Sequence, residues 1–381
     1  MREIASAFLK VGATAYGGPA IMGVMQAEFQ ERRQWVTKPT FLEGLALVNV
    51  LPGATAMQLA IFLGHARGGW WGGLLAGVCF ALPGFAVMLA LTLAYASLGL
   101  SPVLRGALYG LGPVVLGIFV VAVYRLGTNA LRTRTHTLIA VAAGVAALLS
   151  PLGAAAILLL CGGFGLLLFY SRRAGAIVLA LLALGLLVVP LLVGSPIATA
   201  TTPGAAPSLG RVVGLFATIG AVTFGGGLSM IALFEEHVVR QLQWLTPEEF
   251  IAGLALGQLT PGPVLMVAAY VGYKLLGIGG AVAAAAAAFL PSFVLMLAIL
   301  PAFDRVRNLA WAKAVIQGIA PGVIGVMSVA LTRLMPHAVP DAVAALVLVS
   351  TVLALILWRL APLKLMLAGS VVGALRKGVT S

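Results

Sequence analysis

Two stretches of this chain carry the same ordered string of residues, the second about 208 positions after the first, so whatever the first stretch folds into is built twice. The first runs Phe8-x3-Gly12-x3-Tyr16-Gly17-Gly18-Pro19, then Glu28, Trp35-Val36-Thr37, Phe41, Gly44, Pro52-Gly53, Met57, Gly64, Gly72 and Pro83. The second runs Phe216-x3-Gly220-x3-Phe224-Gly225-Gly226-Gly227, then Glu236, Trp244-Leu245-Thr246, Phe250, Gly253, Pro261-Gly262, Met266, Gly272, Gly280 and Pro291. Soluble solenoids and propellers repeat many more times, and their surfaces are wet. Here 61% of the residues are hydrophobic and 9% are charged, which leaves too little polar surface for water to be the main solvent.

The bilayer fits instead. Stretches such as Gly73 to Ala96, Gly106 to Tyr124, Ala174 to Val193 and Ala342 to Leu357 are nearly uncharged, and most approach the roughly 20 residues a helix needs to cross the hydrocarbon. Runs like Ala281 to Phe289 show no amphipathic period, and no stretch alternates as a membrane β-strand must. The fold expected is an all-α polytopic membrane protein of two homologous halves, with about 10–13 transmembrane segments, some of them broken. Residues 1–194 form the first repeat, 195–210 an uncharged linker rich in Pro, Gly, Ala, Ser and Thr, and 211–381 the second repeat.

The net charge of +13 is spread over short loops, which argues for membrane topology rather than nucleic-acid binding. Alternating the loops places Arg2, Lys10, Arg67, Arg125, Arg132, Arg134, Arg172 and Arg173 on one side, against Arg32, Arg33, Lys38 and Arg105. In the second half Arg240, Arg305, Arg307, Lys313, Arg359 and Lys364 join the richer, cytoplasmic side, against Arg211, Lys274 and Arg333. An odd number of spans before the linker makes the second copy enter from the opposite face, giving an inverted-topology repeat.

Each copy interrupts its helices at matched places: Gly17-Gly18-Pro19 and Gly225-Gly226-Gly227, then Pro52-Gly53 and Pro261-Gly262-Pro263. Broken backbone cannot face lipid, and a half-helix that starts at a break offers free N–H groups and a positive dipole end to an anion. Beside the breaks lie the neutral groups Thr14, Asn49, Thr55 and Gln58 in one copy and Thr218, Thr223, Ser229, Gln258 and Thr260 in the other. These residues with the breaks form the candidate binding set; glycines and prolines also serve helix packing and kinking, which is the competing reading. The aligned Glu28 and Glu236 suit either interfacial ion pairing or binding of a coupling proton, and Arg33 and Lys38 either anchoring or attraction of an anion into a vestibule.

Catalysis and metal binding find no support. His65, His136, His237 and His337 are scattered, Cys79 and Cys161 lie in apolar spans, and no phosphate-binding loop of Walker type appears. No cofactor is expected, and energy for transport must come from a gradient.

The string F-x3-G-x3-[FY]-G-G-[PG], a glutamate about ten residues on, W-[VL]-T, [LT]-P-G and a later F-x-L-P-[GS] together resemble the chromate ion transporter (CHR) family in its two-domain form. The resemblance covers roughly Phe8 to Leu91 and Phe216 to Leu300. It implies a prokaryotic inner-membrane protein that exports chromate, a tetrahedral dianion, with sulfate as a competitor of the same shape and a proton as the coupling ion. A homodimer is compatible with this reading. By position the family motif falls on Gly17, Gly18, Pro19, Glu28, Pro52, Gly53 and Gln58, and on Gly225, Gly226, Gly227, Glu236, Pro261, Gly262 and Pro263. The first copy departs from the family at Tyr16, at Met22 and at Ala54, where a second proline is usual.

Overall fold

The computed structural model describes residues 1–16, 18–97, 102–150, 152–192, 206–223, 229–302 and 309–380. All regular structure in these residues is helical. In the first copy α1 spans Arg2–Thr14 and α2 spans Gly18–Met25, running on through a wider π-type stretch to Arg32; α3 spans Lys38–Val50 and α4 Thr55–Ser97. Then follow α5 (Pro102–Ala130), α6 (Arg134–Leu149), α7 (Ala154–Phe169) and α8 (Arg172–Leu192). The second copy opens with α9 (Leu209–Val222) and α10 (Ser229–Phe234), the latter continued by π-type turns to Gln241, then α11 (Pro247–Leu259) and α12 (Val267–Ile299). It closes with α13 (Ala310–Ala338), α14 (Ala342–Leu357) and α15 (Pro362–Thr380).

The first segments of each copy turn back as hairpins. At 13 residues α1 is about 20 Å long, too short to cross. Its partner α2 returns beside it, stacking Phe29 on Phe8 with ring centroids 4.4 Å apart. The return brings Trp35 Nε1 to the Glu3 carboxylate at 3.3 Å, and Arg33 and Arg67 ion-pair with Glu3 at 3.5 and 3.2 Å. Met1, Trp35 and Arg67 therefore share one end of the molecule, called end A. Two expected loop assignments are corrected by this: Arg32, Arg33 and Lys38 lie at the same end as Arg2 and Arg67. By the same geometry Arg240 lies at the opposite end, B. Hydropathy leaves a full crossing and a re-entrant hairpin both open for these first segments, and the geometry is that of a hairpin.

Helix α4 is itself folded. Gly68 and Gly69 leave helical geometry, Gly69 at φ +61, and the chain doubles back so that Gly64 meets Gly72. A Cβ on Gly64 would stand 2.4 Å from the Gly72 carbonyl oxygen, so this close antiparallel approach requires glycine. The same fold occurs in α12 at Leu276 and Gly277, where Gly272 meets Gly280. Each copy is thus two re-entrant hairpins, α1/α2 and α3 with the first arm of α4, followed by a long arm that crosses. Thr37 and Thr246 of the repeated W-[VL]-T string begin α3 and α11 by accepting the N–H of Thr40 and Glu249 at 3.3 and 3.2 Å.

The copies run in opposite directions. The long arm of α4 starts at end A beside Trp70 and reaches Tyr95, which packs on Tyr270 and lies with Glu248 and Lys274 at the base of the second copy's hairpins. Reciprocally, Phe293, late in α12, packs on Gly77, early in that long arm. At end B, Asp341 accepts from Tyr109 at 2.5 Å and pairs with Arg376 at 2.8 Å, tying α5, α14 and α15 together. The tyrosine hydrogen bond leads the causes that hold the Asp341 carboxyl down to about 2.

By length and apolarity Thr55–Ser97, Gly106–Ala130, Val264–Ile299 and Ala310–Ala338 can cross a membrane, with shorter apolar helices such as Ala154–Phe169 and Ala342–Leu357 beside them. Most of residues 195–210, the expected linker, lies outside the described residues, and α9 already begins at Leu209.

Candidate functional site

The hairpin tips meet, and they meet crosswise. Gly53 N–H donates to the Thr223 carbonyl at 2.7 Å, and Gly262 N–H donates to the Ala15 carbonyl at 2.8 Å. Each second break is therefore bonded to the C-terminal end of the other copy's first helix. Both donors are glycines with positive φ, +123 at Gly53 and +92 at Gly262, conformations that side chains rarely tolerate. Gly53 and Gly262, of the second break in each copy, thus stand at two equivalent crossings.

The two crossings differ in chemistry. Ala54 N–H donates to Ser292 Oγ at 2.9 Å; in the second copy Pro263 has no N–H to satisfy, and Gly84 occupies the place of Ser292. A Cβ on Gly84 would stand 2.6 Å from the Pro261 carbonyl oxygen. The departure at Ala54 is thus compensated across the interface, with Ala54 and Ser292 forming one matched pair, Pro263 and Gly84 the other. Replacing Ser292 with alanine should strand a buried N–H and cost about 1–3 kcal/mol. Adding Ala54→Pro to Ser292→Gly should recover most of it, because Pro263 shows that this position accepts φ −72. Thermal unfolding of the two purified variants checks this; equal losses in both would sink the compensation argument.

At the start of α4 the N–H groups of Thr55, Ala56 and Met57 have no carbonyl one turn back, and all three residues are buried. Gln58 is fully buried; its Nε2 donates to the Pro52 carbonyl at 2.5 Å, while Oε1 has no partner among the described residues. Thr223 and Thr260 are buried but turn their hydroxyls onto their own helices, to Ile219 at 2.6 Å and Leu256 at 2.7 Å. Ser229 is buried at the first turn of α10. Thr14 and Asn49 are exposed and likewise bond their own helices, at Lys10 and Leu45, as does Thr218 at Gly214. Gly18 and Pro19 begin α2, whereas Gly17 and Gly225 to Gly227 lie outside the described residues.

Glu28, Arg33, Lys38 and Glu236 stand away from the breaks, toward the two ends. Glu28 pairs with Arg33 at 2.8 Å and Arg32 at 3.3 Å; Glu236 pairs with Arg240 at 2.7 Å and Arg333 at 3.3 Å. Lys38 is exposed at the start of α3.

A cavity of about 630 Å³ lies toward end A, with Tyr16, next to Ala15 of the Ala15–Gly262 crossing, in its lining. Tyr16 and Gln258, each beside a break, line it together with Arg125 of α5 and Arg359 of the α14–α15 turn. Arg33 and Lys38 do not line it. Reading Arg125 and Arg359 as topology markers hid them, since no local motif surrounds either; only the contacts between distant helices reveal the cavity. Among the described residues no group of histidine, cysteine or carboxylate side chains could hold a metal ion.

The chromate transporter family profile matches residues 2–166 and 210–374, one match per copy. A chromate transport protein of Cupriavidus metallidurans is 30% identical, over 97% of this chain and 91% of its own length. A chromate transport protein of Pseudomonas aeruginosa is 32% identical over 85% of this chain and 79% of its own length. An uncharacterised transporter of Methanocaldococcus jannaschii is 26% identical over 85% of this chain and 82% of its own length. No solved structure matches.

Proposed function

Because this chain belongs to the chromate transporter family, a family of membrane transport proteins and not enzymes, we propose that it exports chromate from the cytoplasm across a prokaryotic inner membrane, driven by a proton gradient. The observation that carries this reading is the crossed pair of breaks with a cationic cavity beside one of them. End A gathers Arg2, Arg32, Arg33, Lys38, Arg67, Arg132, Arg134, Arg172 and Arg173, so the positive-inside rule makes it cytoplasmic. A cavity open at that end takes up its anion from the cytoplasm, as an exporter must.

At the other crossing, Gly53–Thr223, the N–H groups of Thr55, Ala56 and Met57 at the positive end of α4 offer donors to a tetrahedral oxyanion. Arg125 and Arg359 compensate its charge on the way in. An oxyanion that carries a proton also supplies an O–H donor to the orphan Gln58 Oε1. The second copy offers less, because the Met266 N–H, equivalent to that of Met57, is already bonded to the Pro263 carbonyl at 3.0 Å.

Sulfate has the same shape and charge, and the altered Ala54 break favours testing it as the alternative cargo. Inside-out vesicles holding the protein should accumulate labelled chromate when an inside-acid pH gradient is imposed, and excess sulfate should slow the uptake. Uptake equal to that of empty vesicles, with sulfate moving instead, would overturn the chromate assignment.

A further inference from the structure

Arg125 has a twin. Arg125 of α5 donates from Nη2 to the Leu355 carbonyl at 2.8 Å, and Arg333 of α13 donates from Nη2 to the Ala147 carbonyl at 2.6 Å. Arginine and acceptor are each displaced by the repeat, so these are the same contact made once in each copy. Their surroundings differ. Arg333 is covered by α10, whose Glu236 and Glu235 approach Nη1 at 3.3 and 3.7 Å. Arg125 lies open in the cavity wall, and among the described residues no carboxylate pairs with it. The glutamate aligned with Glu236 is Glu28, and it is turned away, held by Arg32 and Arg33 of its own helix.

The sequence holds the reason for this asymmetry. Glu28 is followed five residues on by Arg33, whereas Glu236 is followed five residues on by Gln241, which donates to Glu236 at 3.0 Å without cancelling its charge. In addition, Ala27 precedes Glu28 where Glu235 precedes Glu236. The second copy therefore has two carboxylates and one local cation to settle, which leaves charge for Arg333. The first has Glu28 and Glu31 beside two local cations, and both Arg32 and Arg33 turn to Glu28, which leaves Glu28 unavailable to Arg125.

We propose that Arg125 and Arg333 are the anion-receiving residues of the two ends, each exposed to the transported oxyanion when its end is open and sealed by the glutamates of its own copy when that end closes. This structure is then the state in which Arg125 is open at end A and Arg333 is sealed at end B. In the opposite state Glu28 leaves Arg33 for Arg125 while Arg333 is released. An inverted repeat makes the exchange natural, because swapping the conformations of the two copies turns one state into the other. The inference rests on the transporter reading but not on which oxyanion is carried.

The test uses a single reporter thiol, Gln258→Cys on a background with Cys79→Ala and Cys161→Ala, labelled with a membrane-impermeant maleimide in inside-out vesicles, where end A faces the medium. Labelling is expected to be fast. Arg33→Gln, which gives the first copy the second copy's residue, should slow it about tenfold by favouring closure, as about 1.4 kcal/mol of bias does. Gln241→Arg should slow it similarly by freeing Arg333, and Arg33→Lys should leave it fast. Sulfate, which does not oxidise thiols as chromate does, should protect the reporter, and Arg125→Ala should remove that protection. Unchanged labelling in both Arg33→Gln and Gln241→Arg overturns the gate, and sulfate protection that is absent from the start or survives Arg125→Ala overturns the anion contact. Neither readout measures chromate flux, so a failed chromate assay with intact labelling shifts rejects only the cargo.

Discussion

Gly53→Leu is expected to cut transport at least about a hundredfold while leaving the protein inserted in the membrane, since about 2.7 kcal/mol suffices for such a loss. Two penalties act together there. The backbone at φ +123 is one that side chains avoid, at about 1–3 kcal/mol. A Cβ would also stand 2.5 Å from Gln58 Nε2 and 2.6 Å from Ser292 Oγ, the two side chains that arrange the start of α4. Relief of either contact moves the N–H groups offered to the anion and pulls Gly53 from Thr223. The companion variant Gly262→Leu separates strain from crowding. Its φ is +92, but the nearest outside atom to a Cβ is the Gly12 carbonyl oxygen at 3.8 Å, so a smaller loss is expected. Flux per inserted molecule measures both; near wild-type flux in Gly53→Leu would show that the crossing is a packing device only.

Gly220→Leu should fail at an earlier stage, by losing folded protein. A Cβ on Gly220 would lie 2.1 Å from the Ala288 carbonyl oxygen and 2.9 Å from its carbon, both backbone atoms that no rotamer change can move. Forcing α9 off α12 costs about 3 kcal/mol, the upper part of the usual range for overpacked cores. Gly214→Leu sits two turns earlier on the same helix with nothing within 4 Å and serves as the control. Size-exclusion chromatography after a heat step should show a large loss of the monodisperse peak for Gly220→Leu and little change for Gly214→Leu. Equal profiles would refute the close approach.

Much of this organisation was readable in the sequence because glycine and proline punctuate helices whatever their surroundings. The four breaks, the two copies and the all-helical membrane class follow from that punctuation and from the scarcity of charge. Re-entry was not readable, since a hairpin of α1 and α2 has the hydropathy of a crossing. The glycine folds at Gly68–Gly69 and Leu276–Gly277 were hidden for the same reason, inside long apolar runs. The partner of Ala54 was out of reach because Ser292 comes from the other copy. Arg125 and Arg359 were visible as charges but not as neighbours of Tyr16 and Gln258. Thr14, Asn49, Thr223 and Thr260 were chosen for lying beside breaks; their polar groups turn onto their own helices, a local option for such residues in apolar surroundings.

The crosswise bonds between the tips impose a rule of parity on the chain. Gly53 can reach Thr223, and Gly262 can reach Ala15, only if the second copy starts from the end opposite the first. After its hairpins each copy makes the same series of passages, the long arm of α4 with α5, α6 and α7 in one and that of α12 with α13, α14 and α15 in the other. That series is even and would return the second copy to the starting end. Helix α8 stands between that series and the second copy, and it packs chiefly on α7, with Gly175 against Leu167 and Gly163 against Leu179. Its contribution is to make the count odd, so the chain tolerates almost any apolar helix in its place but not the loss of one.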